Sequence, residues 1–112
     1  MEPDRREELE EYLAKIVGEV SRRSEVVKKT EQELRSQELL LEGSAAKRLV
    51  LAGDASRRVA EEAYRRTLRK RIQSLNGKMI EAKEDLERAR ERLNGVELEL
   101  AEFKNEDETN NS

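Results

Sequence analysis

The feature that most constrains this chain is a heptad pattern in its second half. Apolar residues alternate there in steps of four and three without interruption, at Leu68, Ile72, Leu75, Met79, Ala82, Leu86, Ala89, Leu93, Val96, Leu100 and Phe103. Such spacing places the side chains on one stripe of an α-helix, and that stripe must be covered by another helix. The pattern predicts a long helix over 54–104 with a coiled-coil seam.

The composition excludes most other fold classes. Charged residues make up 44% of the 112 residues, hydrophobic residues 35% and aromatic residues only 3%. This supply of apolar side chains suits a narrow seam between helices but not a globular core or a β-sandwich. We therefore expect an all-α protein.

A first helix is predicted over 4–42. Asp4 is placed to cap its N-terminus, and Gly43 is expected to end it. Its seam has two rows of positions. One row is apolar throughout, with Leu13, Val20, Val27, Leu34 and Leu41, and the other begins with Leu9 and Ile16 and then turns polar, with Arg23, Thr30 and Gln37.

Two glycine-marked junctions define a predicted connector over 43–53. Ser44 is placed to cap a short segment that ends at Gly53, and Asp54 to cap the second helix. We expect an antiparallel two-helix coiled-coil hairpin with a short helical connector, forming a single domain over 1–104. Residues 105–112 are expected to be a disordered acidic tail.

The second helix contains two Asn-Gly pairs, at 76–77 and 94–95, which could be turns of a three-helix bundle. The heptad register runs through both pairs, so we favour a continuous helix. Upstream of Leu68, the four-residue steps from Ala60 to Tyr64 predict a stutter in which Tyr64 belongs to the core.

The predicted second helix is longer than the first. Val96, Leu100 and Phe103 would then have no partner within the hairpin, which makes them a possible seam for a homo-oligomer or a partner protein.

The sequence offers little for catalysis. It contains no His and no Cys, which removes the commonest general base, the thiolate nucleophile and the commonest metal ligands. Its carboxylates are interpreted as solvated helix faces, so we expect a non-enzymatic protein with no catalytic residues, cofactor or metal. The N-terminus has no apolar signal region and no stretch could span a membrane, which favours a cytoplasmic location.

The charges are distributed unevenly. Residues 1–42 carry a net charge of −4, residues 43–71 of +6 and residues 72–112 of −5. We call the cations of the middle segment the basic bend: Lys47, Arg48, Arg57, Arg58, Arg65, Arg66, Arg69, Lys70 and Arg71. An acidic protein surface is the favoured partner. Two alternatives remain. One is that these cations simply keep the helix soluble and pair with acids of the first helix, and the other is that they bind nucleic acid, for which interleaved aromatic residues are missing.

Part of the sequence resembles a known family. The residues concerned are Gly53-Asp54, the block Tyr64-Arg65-Arg66-x-Leu68-x3-Ile72, and the run Leu-Glu-Arg-Ala-Arg-Glu-Arg-Leu at 86–93. Over roughly residues 43–103 they resemble the FliJ/YscO family, the coiled-coil stalk proteins of flagellar and type III secretion export ATPases. The resemblance implies a stalk that links an export ATPase to the export gate.

From the residues alone, we expect a coiled-coil rod for protein–protein interaction. A self-assembling structural or adaptor coiled coil is the main alternative, and nucleic-acid binding through the basic bend is a lesser one.

Overall fold

The protein is an all-α helical hairpin, as predicted. The structure, a computed structural model, describes residues 4–50 and 53–110, without the side chains of 48–50 and 107–110. Helix α1 spans Arg5–Val50 and helix α2 spans Ala55–Asn110, and the two pack against each other. All eleven seam residues predicted in the second helix are buried or half-buried, which confirms the heptad pattern.

Two of the three predicted N-terminal caps are present. The carboxylate of Asp4 accepts a hydrogen bond from the backbone N–H of Arg6 at 3.4 Å. The carboxylate of Asp54 accepts one from the backbone N–H of Arg57 at 3.1 Å, and its carbonyl oxygen accepts one from that of Arg58 at 3.0 Å. These bonds satisfy amides of the first turn that have no partner within the helix.

The predicted end of the first helix at Gly43 is wrong, and so is the connector over 43–53. Helix α1 continues to Val50, and Ser44 is a buried residue within it rather than a cap. A glycine inside a helix costs only about 1 kcal/mol, which packing readily offsets. Ser44 also lies seven residues after Gln37, so the heptad register continues through the glycine.

The second helix is continuous through both Asn-Gly pairs, as favoured from the register. It also extends beyond the predicted end at 104, so the expectation of disorder from Asn105 is wrong as far as Asn110. Glutamates recur in this segment, and glutamate is a good helix former. Residues 111–112 lie outside the described residues.

The chain divides into two compact units, each made of antiparallel parts of both helices. Unit 1 comprises Met1–Val26 and Ala82–Ser112, and unit 2 comprises Val27–Glu81. The core of unit 1 is apolar: Leu9, Ile16 and Val96 are buried, with Leu13, Val20, Leu93, Leu100 and Phe103 packed against them.

This cluster contradicts the predicted overhang. Val96 is only 5% exposed, and Leu100 and Phe103 pack against the same core. The expected first helix of about 39 residues was too short and the connector too long. With α1 continuing to Val50, Leu9 near its N-terminus packs in one cluster with Val96, Leu100 and Phe103 of α2.

The seam of unit 2 is more polar. Leu68, Leu75 and Met79 are buried, but Glu61 and Arg65 occupy the two preceding seam positions and are half-buried. The predicted stutter is therefore wrong: Ala60 is exposed and Tyr64 is 41% exposed, while the heptad register itself extends upstream from Leu68. A hydropathy pattern does not detect these positions because polar side chains occupy them.

Candidate protein-docking surface

All nine residues of the basic bend belong to unit 2. Seven of them are exposed, Arg65 is half-buried, and the side chain of Arg48 lies outside the described residues. Unit 2 contains 13 basic and 8 acidic residues, a net charge of +5, whereas unit 1 contains 10 basic and 18 acidic residues, a net charge of −8. The basic segment predicted from the sequence, residues 43–71, therefore lies within a single structural unit.

In unit 1, arginines are paired across the two helices. Arg92 lies 2.6 Å from the carboxylate of Glu19, and Arg5 lies 3.2 Å from that of Glu99. Arg23 was predicted at a seam position but is exposed, and it lies 3.2 Å from the carboxylate of Asp85. The side chains that flank the apolar core of unit 1 thus neutralise one another.

The cations of unit 2 are arranged differently. Arg57 forms an ion pair with Asp54, 3.4 Å away on the same helix. Within the described part of the chain, these further members of the basic bend form no ion pair: Lys47, Arg58, Arg65, Arg66, Arg69, Lys70 and Arg71. These side chains therefore do not pair with acids of the first helix, and the interpretation that they only keep the helix soluble stays an alternative to docking. Their charge is available to a partner.

Arg65 differs from the other predicted docking residues because it lies in the seam. Its Nε atom is buried, and so is Oε1 of Gln37; neither has a hydrogen-bond partner in the structure. Nearby, the hydroxyl of Ser44 donates a hydrogen bond to the carboxylate of Glu61. A buried polar atom without a partner costs about 1–3 kcal/mol, so this seam contributes less to stability than an apolar one would.

A surface groove of about 430 Å³ runs beside this polar seam. Its lining residues come from both helices of unit 2 and are mostly polar or cationic: Glu33, Ser36, Gln37, Arg71, Ser74, Leu75 and Lys78. A second depression of about 290 Å³ is lined by one acid and three arginines, namely Glu62, Arg65, Arg66 and Arg69. Both sites are open to solvent and suit contact with another macromolecule better than an enclosed reaction.

Exposed apolar side chains lie in the same unit. Leu39, Leu40, Val59 and Tyr64 are between 41% and 68% exposed. Charge analysis did not identify them as candidate contacts, although the neighbouring leucines at 39 and 40 could have been recognised as lying outside the heptad seam. Exposed apolar residues beside cations without ion pairs are typical of docking surfaces.

The described residues form neither a metal site nor a membrane span. No group of three or more acidic side chains is arranged to hold a metal ion. Within the same residues, neither helix contains an apolar stretch that could span a lipid bilayer.

Comparison with known proteins gave no relatives. No protein-family model, curated protein or solved structure matches the chain.

Proposed function

We propose that this chain is a non-enzymatic protein-interaction module whose basic bend docks on an acidic surface of a partner protein. The observation that supports this most is the contrast between the two units. Three arginines of unit 1 pair with carboxylates across the helices, whereas seven cations of unit 2 form no ion pair within the described residues. Clustered charges without internal partners steer the approach of an oppositely charged protein and fix its orientation.

Two alternatives have less support. Nucleic acid would also attract the cations, but Tyr64 is the only aromatic residue of unit 2, and stacking aromatics are the usual companions of such cations in single-strand binding. Self-assembly through Val96, Leu100 and Phe103 loses its basis because these residues pack within unit 1.

A narrower form of the proposal names the partner. The resemblance of residues 43–103 to the FliJ/YscO family suggests an export ATPase, with the export gate as a second contact. Copurification with such an ATPase from the source organism would support this form. Recovery of unrelated proteins alone would contradict it and leave the wider proposal intact.

The wider proposal is tested by affinity capture with two matched charge-reversal variants. The first replaces Lys47, Lys70 and Arg71 of unit 2 with glutamate. The second makes the same change in net charge in unit 1, at the exposed residues Lys83, Arg90 and Lys104. Circular dichroism establishes that both variants remain helical.

We expect an extract of the source organism to yield a protein that binds the wild-type chain and the unit 1 variant but not the unit 2 variant. Equal recovery with all three chains would contradict the proposal. Recovery that nuclease treatment abolishes would favour nucleic acid instead.

A further inference from the structure

The groove of unit 2 lies on one defined flank of the seam. We label the heptad positions a to g, with a and d on the seam. Leu34 and Leu41 are a positions of α1, and Ile72 and Met79 are a positions of α2. The groove is then lined from both helices by g residues (Glu33, Arg71 and Lys78) and c residues (Ser36 and Ser74).

The same register extends this flank beyond the groove. Leu40 is the g residue that follows Glu33, and Tyr64 is the g residue that precedes Arg71. These two side chains are 46% and 41% exposed, respectively. The flank therefore presents two large apolar groups beside a groove that already exists.

Between Lys29 and Glu81, which lie at the outer c positions of this flank, small residues occupy c positions on both helices. They are Ser36, Gly43, Ala60, Thr67 and Ser74. Apart from its chain neighbours and the backbone of its own helix, no heavy atom lies within 4 Å of the place where a Cβ atom of Gly43 would be. Small side chains of this kind leave room for the backbone of a third helix to approach closely.

The charges on this flank determine which kind of third helix it would bind. Its g positions hold four cations, Lys47, Arg57, Arg71 and Lys78, and one anion, Glu33. Of the four cations, only Arg57 forms an ion pair within the described residues. The opposite flank carries charges of both signs: Arg66 and Arg69 on α2, and Glu31, Arg35, Glu38 and Glu42 around a depression on α1.

From these observations we infer that the flank formed by Leu40, Tyr64 and the groove docks an acidic amphipathic helix of a partner protein as a third helix beside the seam. The apolar stripe of that helix would cover Leu40 and Tyr64, and its carboxylates would pair with Arg71 and Lys78. This inference rests on the proposed function and specifies the partner segment that the basic unit recognises.

The test uses a synthetic peptide, held helical by a hydrocarbon staple, with leucines at heptad spacing and glutamates elsewhere. A control peptide carries lysine in place of every glutamate. Binding of each labelled peptide to the full chain is measured by fluorescence anisotropy, and sedimentation velocity reports the oligomeric state of the chain.

Two pairs of double variants distinguish binding at the proposed flank from binding elsewhere on unit 2. Leu40→Ser with Tyr64→Ser removes the apolar groups of the proposed site, and Leu39→Ser with Val59→Ser makes an equivalent change outside it. Arg71→Glu with Lys78→Glu reverses the charge of the groove, and Arg66→Glu with Arg69→Glu reverses that of the opposite flank. All these side chains are exposed, so the helical content should be retained.

We expect the acidic peptide to bind and the lysine peptide not to bind. Each change on the proposed flank should weaken binding about tenfold or more, and each matched change should weaken it less than about twofold. Equal losses from both flanks would overturn the third-helix site and leave the proposed function, docking through the basic surface of unit 2, intact. If neither pair of charge reversals weakens binding of the acidic peptide, both the third-helix site and the proposed function are overturned.

Two other results would overturn the inference alone. One is binding of the lysine peptide as tightly as the acidic one. The other is a dimer of the wild-type chain that Leu40→Ser with Tyr64→Ser converts to a monomer, because the occupant of the flank would then be a second copy.

Discussion

The hydroxyl of Ser44 donates a hydrogen bond to the carboxylate of Glu61, joining α1 to α2 inside unit 2. Ser44 is only 3% exposed and occupies the same row of seam positions as Leu9 and Ile16 of unit 1. The bond shows that the first helix is still paired with the second beyond Gly43. It also shows that polar groups hold part of this seam together.

Removing one partner of this bond should lower the free energy of unfolding. We expect Ser44→Ala to cost about 1–2 kcal/mol, because the carboxylate of Glu61 loses its donor in a half-buried position. Urea unfolding of Ser44→Ala, of Glu61→Ala and of the double variant measures the coupling energy between the two side chains. A coupling energy of about 1 kcal/mol is expected, and independent, additive effects would contradict the bond.

The glycines inside the helices give a second prediction. Gly43→Ala and Gly77→Ala should each raise the free energy of unfolding by about 0.5–1 kcal/mol, since both positions are helical and have space for a Cβ atom. Gly18→Ala should raise the free energy of unfolding by less, because its Cβ would lie 3.3 Å from the guanidinium of Arg22, which must then shift. A large loss of stability from Gly43→Ala would indicate that the first helix ends there.

Replacing a core leucine of unit 2 with alanine should cost far more stability than replacing a surface leucine. Leu68 is fully buried and Leu39 is 59% exposed. Leu68→Ala should destabilise the chain by about 2–5 kcal/mol through lost burial and the cavity left behind, whereas Leu39→Ala should change stability by less than about 0.5 kcal/mol. Thermal unfolding followed by circular dichroism compares the two. Similar effects would contradict the seam assignment.

The ion pair between Arg92 and Glu19 should contribute little to stability. Both side chains are partly solvated, with 47% and 25% of their surface exposed, and such pairs are typically worth about 0.2–1 kcal/mol. Its coupling energy, from a double-mutant cycle, should shrink as salt is added. A coupling that high salt leaves unchanged would show that the pair is shielded from solvent.

The sequence was sufficient to predict the seam of the second helix, because apolar residues from Leu68 to Phe103 repeat without a break. The register also identified the Asn-Gly pairs as helical, since a turn at Gly77 or Gly95 would have disrupted it. Both N-terminal caps followed from Asp4 and Asp54, whose side chains bond amides of the first turn.

Prediction failed where polar residues form the seam. Ser44, Glu61 and Arg65 carry no hydropathy signal, so the first helix was expected to end at Gly43 and Tyr64 was placed in the core. The shortened first helix then left Val96 without its partners Leu9 and Ile16. The basic bend was identified from charge, but only the structure showed which cations are paired and that Arg65 lies in the seam.

The most direct test of the central claim is lysine footprinting of the chain in complex with the protein that it captures. Acetylation of each lysine is measured by mass spectrometry in the free and bound chain. Docking on the basic bend predicts protection of Lys47 and Lys70, with Lys83 and Lys104 of unit 1 unchanged. Protection confined to Lys83 and Lys104, or equal across both units, would contradict it.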